Sequence, residues 1–185
     1  MKFFTPEQAN TFLDSIKGHR LEALFVMALT LGLRRGELLG LHWSDVDLDG
    51  ATLRVNYGLQ RFDRKLHLME SKTEKSRRVL PLPSLLVAGL RTHRTRQLEE
   101  RLALGSDWQE TGLVFVSTVG TPLEPRNLNR TFDALLENAK LPRIRLHRKL
   151  PRQVYSSKVE TSASSRLRNK LGGSPLRASC GRSSL

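Results

Sequence analysis

The chain has 185 residues, 38% of them hydrophobic and 26% charged, with 31 Lys and Arg against 18 Asp and Glu for a formal net charge of +13. That length accommodates one domain with a real core, the composition excludes collagen-like and wholly disordered classes, and the positive excess points to a polyanionic partner, most often nucleic acid. Cys180 is the single cysteine, which excludes an intrachain disulfide and a cysteine-based zinc site, and with no membrane-length apolar run or signal-peptide pattern a soluble cytoplasmic protein is expected.

Thr5-Pro6-Glu7-Gln8 combines an N-cap threonine, proline at the first helical position and glutamine at the third, and predicts a helix running to about Lys17. Leu21, Leu24, Phe25, Ala28, Leu29 and Leu31 have the spacing of a mostly buried second helix that Gly32 interrupts. A short third helix starts near Arg34 and presents Leu38, Leu39 and Leu41 to the core, and Trp43 to Asp47 reads as a turn. Residues 52–57, 65–69 and 76–81 alternate with period two and predict a small three-stranded antiparallel sheet. A long helix over about 84–104, an apolar run Leu113-Val114-Phe115-Val116 and a helix over about 126–139 complete the ordered part.

The charge is unevenly placed. Residues 1–140 hold 20 basic and 17 acidic side chains, a balance of +3, whereas residues 141–185 hold 11 basic side chains and the single acid Glu160, a balance of +10. Only six of the last 35 residues are Val, Leu, Ile or Phe, too few to offset chain entropy, so this Ser/Arg-rich end is expected to be disordered.

Four segments carry functional information. In Thr30-Leu31-Gly32-Leu33-Arg34-Arg35-Gly36-Glu37-Leu38-Leu39-Gly40-Leu41 a buried helix stops at a glycine, Arg34 opens the next helix, and Glu37 one turn on can accept the Arg34 guanidinium or the free N–H groups of that helix start. Spacing alone favours an ordinary helix pair whose charged residues cap and solvate it. As a whole, with Trp43-Ser44-Asp45 behind it, the segment resembles the first arginine box of the tyrosine recombinases, the phage-integrase family, with one residue inserted between the threonine and the glycine. Glu70 to Pro83 reads as strand, polar turn and strand, and resembles the β-hairpin whose lysine, in a Lys-Thr-x-x-Ser-x-Arg setting, enters the minor groove; Lys72 matches it and Lys75 is the alternative. Residues 112–130 resemble the segment in which a Gly-x-Pro turn leads into a helix, with Arg126, Asn127, Asn129 and Arg130 near a helix start that favours anions. Leu141 to His147 resembles the lead-in to the His-x-x-Arg box, with His147 as the histidine; position 150, where the second arginine belongs, is leucine.

The resemblance implies an α+β fold: a mainly helical tyrosine-recombinase-like catalytic core with a small three-stranded antiparallel sheet, incomplete at its C-terminal end, over residues 1–147, followed by a basic tail over 148–185. It implies DNA breaking and rejoining without metal or other cofactor, through a 3′-phosphotyrosyl link. Arg34 would bind the non-bridging oxygens of the phosphorane, Lys72 would act as general acid to the departing 5′ oxygen and His147 would assist proton transfer, with Arg35, Lys75, Arg126 and Arg130 on DNA phosphates. Arg34, Lys72 and His147 are expected to meet on one basic face. Double-stranded DNA and other recombinase protomers are the implied partners; a small-molecule substrate and a membrane are not. Tyr155 stands only eight residues past His147, too near for the family's nucleophile, so the chain is expected to be catalytically incomplete. The family's preceding helical DNA-clamping domain is not recognisable either. Loss of pattern within a box is what a shifted reading frame near codon 148 produces, with an evolved basic tail as the rival, and translation of the other two frames tests this. A non-catalytic DNA-binding module or antagonist of an intact recombinase is the alternative function, and a small basic RNA-associated protein a more distant one. His19, His42, His67 and His93 lack ligand spacing, so no metal is assigned.

Overall fold

Helix α1 (Pro6–Ser15) starts where its cap predicts: Thr5 Oγ1 accepts the Gln8 N–H at 3.3 Å and Gln8 Oε1 accepts the Thr5 N–H at 3.0 Å. In the computed structural model, which describes residues 4–70, 77–144 and 146, this helix ends two residues earlier than its pattern suggests, with Ile16 as its buried C-cap and Gly18 at φ 77° behind it. Helix α2 (Glu22–Leu31) buries six of its ten residues, and Gly32 stops it at φ 59°, a left-handed conformation that suits glycine. Phe12 of α1 touches Phe4, Phe25 of α2 and Phe132 of the last helix, α5 (Pro125–Asn138), at ring-centroid distances of 5.7, 5.9 and 5.4 Å. These edge and tilted contacts lock three helices around one aromatic centre, each pair adding about 0.5–1.5 kcal/mol beyond its buried area.

Helix α3 (Arg35–Leu39) and a 3-10 turn, Trp43–Asp45, lead to the strands β1 (Val46–Asp47), β2 (Thr52–Val55), β3 (Tyr57–Phe62), β4 (Lys65–Glu70) and β5 (Arg78–Pro81). They form two antiparallel sheets rather than the single one expected. One is three-stranded in the order β1-β2-β5, with Leu53 opposite both Val46 and Leu80; the other is the hairpin β3-β4. The segment predicted over 65–69 therefore pairs with Tyr57–Phe62, and the third strand of the main sheet is Val46–Asp47, which the sequence presents as a turn. The division falls at Asn56, whose side-chain amide donates to Asp45 Oδ1 at 2.7 Å; the extended run breaks there into two strands with different partners. Asp63 and Arg64, both at positive φ, close the hairpin as a tight two-residue turn whose twist matches that of the strands.

Helix α4 (Ser84–Leu104) occupies the predicted span. The apolar run Leu113–Val116 is buried but makes only isolated bridges, His42 with Leu113 and Val116 with Pro122. Its carbonyls are satisfied instead by side chains: Gln97 Nε2 donates to Leu113 O at 3.1 Å, His93 Nε2 lies 2.8 Å from Val114 O, and Arg20 Nη1 donates to Val116 O at 2.7 Å. Arg20 also meets Glu100 of α4 through two bonds of 2.7 and 2.6 Å, so one guanidinium ties the start of α2, the side of α4 and this run together. No helix among the described residues is long and apolar enough to cross a membrane.

Candidate nucleic-acid interface

Arg34 owes its position to the local chain. Gly32 turns the backbone, Leu33 is buried, and Arg34 takes up extended geometry (φ −66°, ψ 147°) as N-cap of α3, which leaves its side chain 81% exposed. Glu37 fixes this arrangement from the third position of α3. Its carboxylate accepts the Arg34 backbone N–H at 2.9 Å, and Arg78 of β5 donates to it from Nη2 at 2.8 Å and from Nη1 at 3.3 Å. Burial pushes the Glu37 carboxyl up, but the hydrogen bonds from Arg78 and the Arg34 amide, together with both positive charges, outweigh burial and hold it below the usual carboxylate value. The short helix bearing Arg34 is thus tied to the strand that follows residues 71–76.

Helix α3 is also seated directly on β3. A Cβ at Gly36 would lie 2.9 Å from the Leu59 carbonyl oxygen, and one at Gly40 would lie 2.9 Å from Gly58 Cα, so both glycines are required by close backbone approach. This packing brings the β3-β4 hairpin beside Arg34 and forms one wall of a groove of about 1260 Å³. Arg34 and Arg35 line the groove from α3, Tyr57 and Arg61 from β3, Glu70 from β4, and Arg126 and Asn129 from α5. Pro125 at the first position of α5 starts that helix next to Arg126, whose side chain is exposed.

Of the residues singled out from sequence, Arg34, Arg35 and Arg126 converge on this groove from opposite ends of the described chain. Arg130 is exposed on α5 one turn further on and does not line it. Lys72, Lys75 and His147 lie outside the described residues, as does most of the basic end. Their neighbours are placed: Glu70 and Arg77, on either side of 71–76, form an ion pair at 2.7 Å, and Leu146 is buried in the core. Arg35 and Arg126 have no acidic partner among the described residues. Sequence reasoning missed Arg61, whose guanidinium meets Glu124 at 2.5 Å, because the alternation beyond Tyr57 breaks down and Asp63-Arg64 lacks the glycine that usually marks a hairpin turn. No group of three or more His, Cys, Asp or Glu among the described residues could hold a metal ion.

Comparison with known proteins places this architecture. The family model "Phage integrase family" matches residues 2–158. A "Tyrosine recombinase XerC-like" protein of Caldanaerobacter subterraneus subsp. tengcongensis is 37% identical over 168 residues, which cover 84% of this chain and 42% of the relative. An integrase of Streptomyces ambofaciens is 38% identical over 143 residues, 75% of this chain and 36% of the relative. The chain thus spans about two fifths of the length of these curated relatives. Among solved structures, the Tn1549 transposon integrase in complex with transposon right end DNA superposes with a TM-score of 0.60 at 23% identity, over 92% of this chain and 54% of that one. XerA recombinase superposes with a TM-score of 0.58 at 22% identity, over 94% of this chain and 53% of its own. With the arginine box set on α3, two small antiparallel sheets beside it and this fold in common with tyrosine recombinases, the chain belongs to the phage integrase family.

Proposed function

We propose that this chain is the part of a tyrosine-recombinase catalytic domain that holds duplex DNA by its phosphates, and that by itself it binds DNA without cleaving it. The observation that carries the reading is the convergence of Arg34, Arg35 and Arg126, from segments far apart in sequence, on one groove of about 1260 Å³. Guanidinium groups bind phosphate oxygens bidentately, and at a transferring phosphoryl centre they neutralise charge as it develops. Arg34 is the residue we assign to that role, exposed towards the groove and set by Glu37. Lys72 would then protonate the leaving 5′ oxygen and His147 would move a proton at the nucleophile. Leu150 stands where the box calls for its second arginine, and neither Tyr57 nor Tyr155 has the spacing of the nucleophile, so no covalent intermediate is expected from this chain alone. Intact recombinase protomers are the proposed protein partners, and residues 148–185 the proposed basic appendage.

Salt-dependent binding to a labelled duplex tests the reading. Affinity should fall steeply with salt, and Arg34→Ala with Arg126→Ala should reduce the slope of log K against log salt by about 0.9 for each phosphate that no longer meets a guanidinium. Deleting residues 151–185, which removes seven basic side chains and one acidic, should flatten the slope further without abolishing binding. A nicked substrate should trap no protein–DNA adduct. An adduct that survives denaturant and disappears in Tyr155→Phe would identify Tyr155 as a nucleophile and end the non-cleaving assignment.

A further inference from the structure

Among the described residues, Arg61 is the groove cation that a carboxylate from another element already occupies. It projects from β3 close to the hairpin tip, where its Nη2 donates to the Arg64 carbonyl at 3.0 Å while its Nη1 meets Glu124 Oε2 at 2.5 Å. The tip carbonyl orients one edge of the guanidinium and leaves the other for an anion. Glu124 is the N-cap residue of α5, yet its side chain makes no capping bond to the helix; it turns to Arg61 instead. The outer half of the hairpin contributes little to the core, since Phe62 is 75% exposed, so the ion pair is not needed to bury it. With Arg61 49% and Glu124 24% exposed, water and a competing anion can reach both groups, and an ion pair of this kind is easily exchanged. A carboxylate and a phosphate offer a guanidinium the same pair of acceptor oxygens.

We infer that Arg61 is a further phosphate-binding residue of the groove, held by Glu124 in the free protein and passed to a DNA phosphate on binding. This rests on the DNA-binding reading above. The exchange adds a fourth cation, carried by the hairpin, to Arg34, Arg35 and Arg126, and it leaves the free protein without an unpaired charge at that point. The rival is a purely structural strap, in which Arg61 remains on Glu124 and only ties the hairpin to α5.

The double variant R61Q/E124Q separates the two, because it removes one positive and one negative charge together and leaves the net charge of the groove unchanged. Binding of the full chain to a labelled duplex is followed by fluorescence anisotropy over a series of salt concentrations. With Arg61 on phosphate, the double variant binds several-fold more weakly than wild type and its salt slope is shallower by about 0.9. Affinity and slope equal to wild type would overturn the inference. R61K keeps the cation and should hold the wild-type slope. If R61K loses as much slope as R61Q/E124Q, with thermal melting showing both folded, charge at this position is not what the DNA senses and the inference fails. A wild-type chain with no salt-dependent binding would instead overturn the DNA-binding reading, and this inference with it.

Discussion

Glu37 shows how a single buried carboxylate sets the position of a neighbouring guanidinium through the backbone. It is 8% exposed and holds both the Arg34 amide and the Arg78 guanidinium, so Glu37→Ala leaves two donors without their acceptor, and a loss of about 2–4 kcal/mol is expected in denaturant melts. Glu37→Gln keeps one acceptor and should cost less. The lowered Glu37 carboxyl means that the unfolded chain takes up its proton first as pH falls; the stabilisation is complete above about 4.5 and is lost as pH drops through the lower folded value. His93 acts in the same direction at higher pH. Burial, partly opposed by the bond to the Val114 carbonyl, lowers its value below 6.5, so its contribution is complete above that pH and declines below it as the unfolded imidazole charges. Urea midpoints measured from pH 7.5 to 5 should fall for the wild type, and the slope of that fall should be smaller in His93→Gln. An unchanged slope would remove His93 from the acid response.

Among the elements, two glycines with opposite surroundings offer a matched test of what holds the groove wall. At Gly36 a methyl group would meet the Leu59 carbonyl, which is backbone and cannot swing away, so Gly36→Ala is expected to destabilise the fold by about 1–3 kcal/mol and to separate α3 from β3. At Gly89, inside α4, a methyl group meets nothing within 4 Å, and Gly89→Ala should stabilise by about 0.5–1 kcal/mol through helix propensity alone. Thermal melts of the two variants check both signs. The helices were legible because their signals are local, such as a Thr-Pro cap for α1 and a glycine after α2, and the observed span of α4 agrees with its predicted one. The sheets were less so. Residues 52–62 divide into two strands at Asn56, whose side chain bonds to Asp45 eleven residues back in the chain, and period-two alternation carries no trace of that interaction. At the site, Arg34, Arg35 and Arg126 could be found from motifs, whereas Arg61 and Glu124 become a pair only through the fold.

On the scale of the whole molecule, the net charge of +13 is unevenly shared, because residues 1–140 carry only +3 and many of their cations are engaged in ion pairs, as Arg20 is with Glu100, Arg61 with Glu124 and Arg78 with Glu37. Under the proposed DNA-binding reading, phosphate binding by residues 1–140 would therefore depend on a few placed guanidiniums, not on a diffuse field. The buried run Leu113–Val116 adds a kinetic consequence. Neighbouring strands give it almost no ladder; it is held by side chains of α4 and by Arg20, whose bonds to Val116 and Ser117 reach across 96 and 97 residues of sequence. Such bonds join segments distant in sequence and are expected to close late, after α2 and α4 have docked. Arg20→Gln is accordingly expected to hasten escape from the native state: in a chevron experiment the unfolding limb should rise while the refolding limb stays where it is. The clamp would then govern how long a folded molecule lasts, not how quickly one forms.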